Sequence, residues 1–214
     1  MTTFTLPPEL ADQYAKARQF ITNGNPQKIK TLAVVAATHA EGTTTVALQL
    51  AISLAADPKL PVLLVDANFR TPDLHSRFQV SQDGGLSNLL LGEGDFSAFL
   101  KPTPVKNLFL MTSGKGVSDP AEFIKVTDLE EKLIRPAVNF NCILIDCPPI
   151  NTCPEATLLA SHSDGTVLVV QAGETRREVV LEARQRLAQA KVHLLGVVLN
   201  KRKYHIPNFV YGKL

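Results

Sequence analysis

Tryptophan is absent from the 214-residue chain, and methionine, tyrosine and cysteine are scarce, at two, three and three. The odd cysteine count and the lack of any metal-ligand spacing argue against a disulfide framework or a zinc site, so Cys142, Cys147 and Cys153 read as reduced thiols. Charge of one sign is also missing: 22 basic and 20 acidic residues leave a formal net charge of +2. That balance excludes the basic excess expected of a nucleic-acid binder. No apolar run approaches the roughly 20 residues of a membrane span, and the N-terminus shows no signal-peptide pattern. Internal repeats and low-complexity tracts are lacking too. The chain therefore reads as cytoplasmic.

What is present is enough apolar material, 45% of residues, for one α/β domain with a substantial core. Short runs rich in Val, Leu and Ile recur at Leu32–Ala36, Val62–Val65, Leu108–Met111, Cys142–Ile145, Val167–Val170 and Leu195–Leu199. Most do not alternate, which predicts strands buried on both faces of a parallel sheet. Between them, Val46, Ala47, Leu50, Ala51 and Leu54 share a helical face, as do Val180, Ala183, Leu187 and Ala190. Strand–helix alternation predicts a doubly wound, mostly parallel sheet flanked by helices. The expected division is an N-terminal helical segment over 1–26, the α/β domain over 27–200, and a tail over 201–214. Irregular structure is expected over Gln79–Gly94, around Thr112–Pro120 and in the tail.

The most telling segment is Ala37-Thr38-His39-Ala40-Glu41-Gly42-Thr43-Thr44-Thr45, between the first apolar run and the first helical one. A strand–GxxxxGK[ST]–helix element, the phosphate loop of nucleotide-binding proteins, belongs in that place. Gly42 holds the second glycine position and Thr44 the metal-binding hydroxyl position, but Thr43 stands where the lysine should be and Ala37 replaces the first glycine. Backbone N–H groups over Glu41, Gly42, Thr43, Thr44 and Thr45 would still attract phosphate at a helix N-terminus. Two further runs end in carboxylates: Asp66, followed by Asn68 and Arg70, and Asp146. Such residues at the carboxyl ends of parallel strands face the crevice where ligands collect. One carboxylate can hold Mg²⁺ and the other can orient or deprotonate an attacking group, or both can merely cap the turns that follow.

Leu63-Leu-Val-Asp-Ala-Asn-Phe-Arg-Thr-Pro-Asp-Leu-His-Ser-Arg-Phe78 resembles the bacterial tyrosine kinases of capsule and exopolysaccharide export. Gly85-Leu86-Ser87, Pro120 to Ile124, Leu144-Ile145-Asp146-Cys-Pro-Pro, Glu155-Ala156 and Gly196 to Asn200 continue the likeness. The resemblance implies a P-loop NTPase-like fold binding ATP or ADP with Mg²⁺. It further implies Thr44 and Asp146 as metal-binding residues, and Asp66, Asn68 and Asp146 as catalytic positions, with Asn68 replacing an acidic residue. A membrane-embedded polysaccharide co-polymerase would be the activator, homo-oligomers would form, and tail tyrosines, here only Tyr204 and Tyr211, would accept phosphate. Three departures weaken the kinase reading. The lysine is missing unless Lys115 or Lys201 replaces it; the tail lacks a tyrosine cluster; and Asp12, Ala15 and Arg18 occupy the places of a ring-forming Glu-x-x-Arg-x-x-Arg. The expected function is a degenerate kinase that regulates by nucleotide sensing or scaffolding. An active autokinase and a partitioning-type ATPase are the alternatives.

Overall fold

The computed structural model describes residues 8–24, 29–57 and 61–202. Seven strands form one sheet: β1 (Thr31–Ala36), β2 (Val62–Asp66), β3 (Lys101–Pro102), β4 (Leu108–Met111), β5 (Cys142–Asp146), β6 (Gly165–Gln171) and β7 (Leu194–Asn200). Their order is β3-β4-β2-β5-β1-β6-β7, and only the β3–β4 pair is antiparallel. Every residue of β1, β2 and β5 is buried, which accounts for their unbroken apolar runs.

Helices cover both faces. On one lie α1 (Pro8–Gln19) and α2 (Thr43–Ala55), with Val46, Ala47, Leu50, Ala51 and Leu54 packed on Leu32, Val34, Val62, Leu64 and Leu144. The short α3 (Leu74–Phe78) joins that layer through Leu74 and Phe78. The opposite layer contains α4 (Leu86–Leu91), α5 (Pro120–Val126), α6 (Pro154–Ser161) and α7 (Arg177–Gln189), packed on Val35, Leu63, Ile143, Ile145 and Leu168. The doubly wound, mostly parallel sheet expected from the alternation is therefore present.

One detail differs from the expectation. The Gln79–Gly94 segment is not wholly irregular, because Leu86, Leu89 and Leu90 drive α4 into the core. Its entry requires glycine: Gly85 sits so close to the Thr112 carbonyl that a Cβ would lie 2.2 Å from it. The Phe96–Leu100 stretch, which follows that segment, also turns aromatic rings inward. Phe99 is 9% exposed and the Phe96 ring meets Phe140 edge-on at 6.2 Å.

Candidate nucleotide site

The phosphate loop runs from the end of β1 into α2, whose N-terminal residue is Thr43. Gly42 caps the helix in the left-handed region, φ 91°, and a Cβ there would lie 2.3 Å from Asn200 Nδ2. Any other residue would strain the backbone there and displace the Asn200 amide. The loop is held from three sides. The buried Glu41 carboxylate accepts from the Thr38 N–H at 2.9 Å, from the Gln171 N–H at 3.4 Å and from the Thr175 hydroxyl. Asn200 Nδ2 donates to the Glu41 carbonyl at 2.8 Å, and Lys201 Nζ donates to the Ala40 carbonyl. Glu41 is thus a structural pin joining the loop to the end of β6.

Ala40 adopts φ 63°, a region that costs a residue with a Cβ roughly 1 kcal/mol or more. Ala40→Gly should accordingly raise stability by about 0.5–1 kcal/mol, as read from denaturant midpoints. An unchanged or lower midpoint would mean the loop does not hold this conformation.

Asp66 and Asp146 are register partners at the ends of β2 and β5. The structure brings these two site residues together, and their environments differ. Asp66 Oδ1 accepts from the Asn68 N–H at 3.2 Å, while Oδ2 accepts from the N–H groups of Asp73 and Leu74, each at 3.1 Å. It therefore caps the turn into α3. Burial still pushes its carboxyl up to about 6, with those backbone donors opposing the shift. Asp146 is 1% exposed, and its Oδ1 has no hydrogen-bond partner. Burial first and the neighbouring Asp66 second push its carboxyl well above the carboxylate range, against a hydrogen bond from the Thr44 side chain. A buried carboxylate oxygen without a partner, beside a threonine hydroxyl, is the donor chemistry that suits a hard divalent cation.

The phosphate loop opens onto a cleft of about 600 Å³, lined by Thr38 to Ala40, Gly42 to Thr45, Asn68, Arg77 and Lys201, among others; Asp66 and Asp146 are buried behind its wall and do not line it. Asn68 closes a small turn with Thr71, its Oδ1 accepting from the Thr71 N–H at 3.2 Å and its Nδ2 donating to the Thr71 hydroxyl at 3.0 Å. Arg70, which the sequence grouped with these residues, is paired with Glu155 of α6 instead. Of the two lysines that could replace the missing one, Lys115 is tied to Glu93 and does not line the cleft, whereas Lys201 does. Arg77, paired with Asp73 at 2.7 Å, is a cleft cation that sequence reasoning missed. Its position six residues before the irregular segment's Asp83 carried no signal; only the turn capped by Asp66 brings it round. His39 bonds Thr152 at 3.1 Å through its Nε2. Arg18 donates to the Ser53 carbonyl at 3.1 Å and so links α1 to α2. Tyr204 and Tyr211 lie outside the described residues.

No family model matches the chain. It is similar to tyrosine-protein kinase YwqD of Bacillus subtilis, 30% identical over 194 residues that cover 90% of this chain and 81% of the relative. Tyrosine-protein kinase CpsD of Streptococcus agalactiae is 34% identical over 174 residues, covering 80% and 75%. Among solved structures, the kinase domain of VpsO aligns with a TM-score of 0.82 at 28% identity, covering 90% of this chain and 96% of the other. The chimerical protein CapA2B2 aligns with a TM-score of 0.84 at 26% identity, covering 90% and 85%. A septum site-determining protein from Pyrococcus horikoshii shares the fold, with a TM-score of 0.63 at 20% identity over 86% of this chain and 76% of the other.

Proposed function

The chain belongs to the bacterial tyrosine-protein kinase family, and within that family we propose that it serves capsule or exopolysaccharide export as a nucleotide-responsive regulatory partner with little kinase activity of its own. The observation that carries this reading is Thr43 at the mouth of α2, in a phosphate loop otherwise built to hold an anion. The 13-residue helix points its N-terminal N–H groups at the cleft, so phosphate is still attracted. Losing one charged donor weakens phosphate binding by roughly 1.5–3 kcal/mol. It slows transfer more, since a single preorganised donor is worth about 10²–10³ in rate.

Asp146 and Thr44 fit a magnesium ion, which when bound supplies positive charge against the phosphates. Asp66 holds the turn that carries Asn68 and Arg77 to the cleft, and Glu41 holds the loop itself. A membrane-embedded polysaccharide co-polymerase would be the partner through which the chain reaches the membrane, for among the described residues no helix is long and apolar enough to cross one. Homo-oligomers and phosphate transfer to Tyr204 or Tyr211 belong to the same family pattern.

Calorimetric titration with ATP and ADP, with and without Mg²⁺, tests the reading. Binding should be weak, should need Mg²⁺, and should fall about tenfold in Asp146→Ala through loss of a charged ligand. Tight binding that ignores both Mg²⁺ and the substitution would contradict it. One observation favours the second reading, an active autokinase: Lys201 lines the cleft with its Nζ on the phosphate loop. Phosphate found on Tyr204 or Tyr211 of the expressed protein would support that reading.

A further inference from the structure

The two edges of the sheet are built differently. At one end β3 is only two residues long, antiparallel to β4, and consists of a lysine and a proline. Shortness, charge and proline are the usual devices that keep an edge strand from pairing with another chain. At the other end β7 has seven residues, Leu-Leu-Gly-Val-Val-Leu-Asn, with no charge and no proline. Its only irregularity is a register shift opposite Thr166 and Val167, at its beginning. Among the described residues no strand pairs with its outer side. Val197 and Leu199, two residues apart and so on one face, are 49% and 64% exposed. An edge that is long, regular and apolar is a template for an incoming strand.

The flanking charge narrows what that strand can be. Lys191 precedes β7 and Lys201 follows it, its Nζ on the neutral Ala40 carbonyl, so a lysine charge stands at each end. A second copy pairing edge to edge would bring basic ends against basic ends in either direction. The chain's own residues 203–214 carry Lys203, His205 and Lys213, no acidic residue, and Pro207, which cannot donate to a ladder. We propose that the outer edge of β7 takes up an extended segment of another protein, apolar at alternate positions and flanked by Asp or Glu, as an added strand of the sheet. Main-chain bonds to β7 supply affinity, the Val197–Leu199 face reads the apolar positions, and the basic ends select the acidic flanks.

The probe is a fluorescent peptide, Asp-Glu-Val-Thr-Val-Thr-Val-Glu-Asp, added to the full-length protein. Anisotropy should saturate, and hydrogen exchange of amides over residues 194–200 should slow on binding. Replacing the acidic flanks with lysine should weaken binding about tenfold, the scale of two or three charge contacts. This comparison leaves the protein unaltered. Val197→Ser with Leu199→Ser, which removes the apolar face without adding charge at positions exposed enough to tolerate the change, should also weaken it. Absence of saturation, or protection appearing elsewhere than 194–200, overturns the proposal. So does a dimer in sedimentation that Leu199→Lys dissociates, which makes a second copy the occupant. Faster exchange over 194–200 in Phe209→Ser/Val210→Ser, without peptide, assigns the edge to the chain's own tail and equally overturns it.

Discussion

Thr43→Lys should raise ATP affinity by roughly ten- to a hundred-fold, the value of one charged donor restored at the phosphates. The surrounding geometry can accept it. Thr43 begins α2, is partly exposed and lines the cleft, so a longer side chain meets solvent and ligand, not core. Transfer is a harder demand than binding. Asn68 still lacks the acidic group of the family pattern, and its amide is committed to the turn with Thr71. Thr43→Lys should therefore improve binding far more than autophosphorylation, and Thr43→Lys with Asn68→Asp is the combination expected to give measurable transfer. Calorimetry for affinity and radiolabel incorporation for transfer read the two separately. Lys201 supplies the alternative outcome. If it already provides the charge, the unmodified protein phosphorylates itself, Thr43→Lys leaves that rate unchanged, and Lys201→Ala abolishes it. The regulatory reading would then be wrong.

Arg70→Ala should destabilise the protein by about 2–3 kcal/mol. The guanidinium holds Glu155 with two bonds, Nε to Oε1 at 2.6 Å and Nη2 to Oε2 at 3.2 Å, while the Glu155 side chain is only 1% exposed. Removing the arginine strands a carboxylate in the interior, which for a fully buried pair costs about 3–5 kcal/mol. Arg70 is itself 43% exposed, so water partly replaces it and the cost falls below that of a fully buried pair. For a chain of this size the melting temperature should drop by roughly 4–12 °C. Arg70→Lys should recover only part of the loss, because an ammonium cannot hold both oxygens in a fork. Adding Glu155→Gln to Arg70→Ala should also regain stability, since no charge is then left buried. A melting temperature unchanged in Arg70→Ala would show that Glu155 is solvated or satisfied by another group.

How much of this was legible beforehand follows from the range of the forces involved. Six strands, the helix that opens on Thr43 and the placement of Asp66 and Asp146 at carboxyl ends of strands could be read in advance. Each rests on local information: apolar runs buried on both faces, a helical face repeating every three to four residues, and the rule that crevice residues follow parallel strands. Replacement of the phosphate-loop lysine by Thr43 is likewise a fact of the sequence alone. The helix α4 was missed because its six residues are too few to show a period, and its formation depends on Leu86, Leu89 and Leu90 finding a core supplied by distant segments.

The site divides the same way. Asp66 and Asp146 look alike as strand-ending aspartates, but folding gives one three backbone donors and leaves the other with an unpartnered oxygen beside Thr44. Arg70 and Arg77 look like equal members of one polar string, yet one is drawn to a glutamate 85 positions away and the other lines the cleft. Lys115 and Lys201 were interchangeable candidates until Glu93 claimed the first and the fold set the second on the wall of the cleft, at the Ala40 carbonyl. Residue type and periodicity determine which elements form and which side chains can do chemistry. Which of them are left free to do it is decided by hydrogen bonds and burial across long stretches of chain, and those exist only once the tertiary structure has closed.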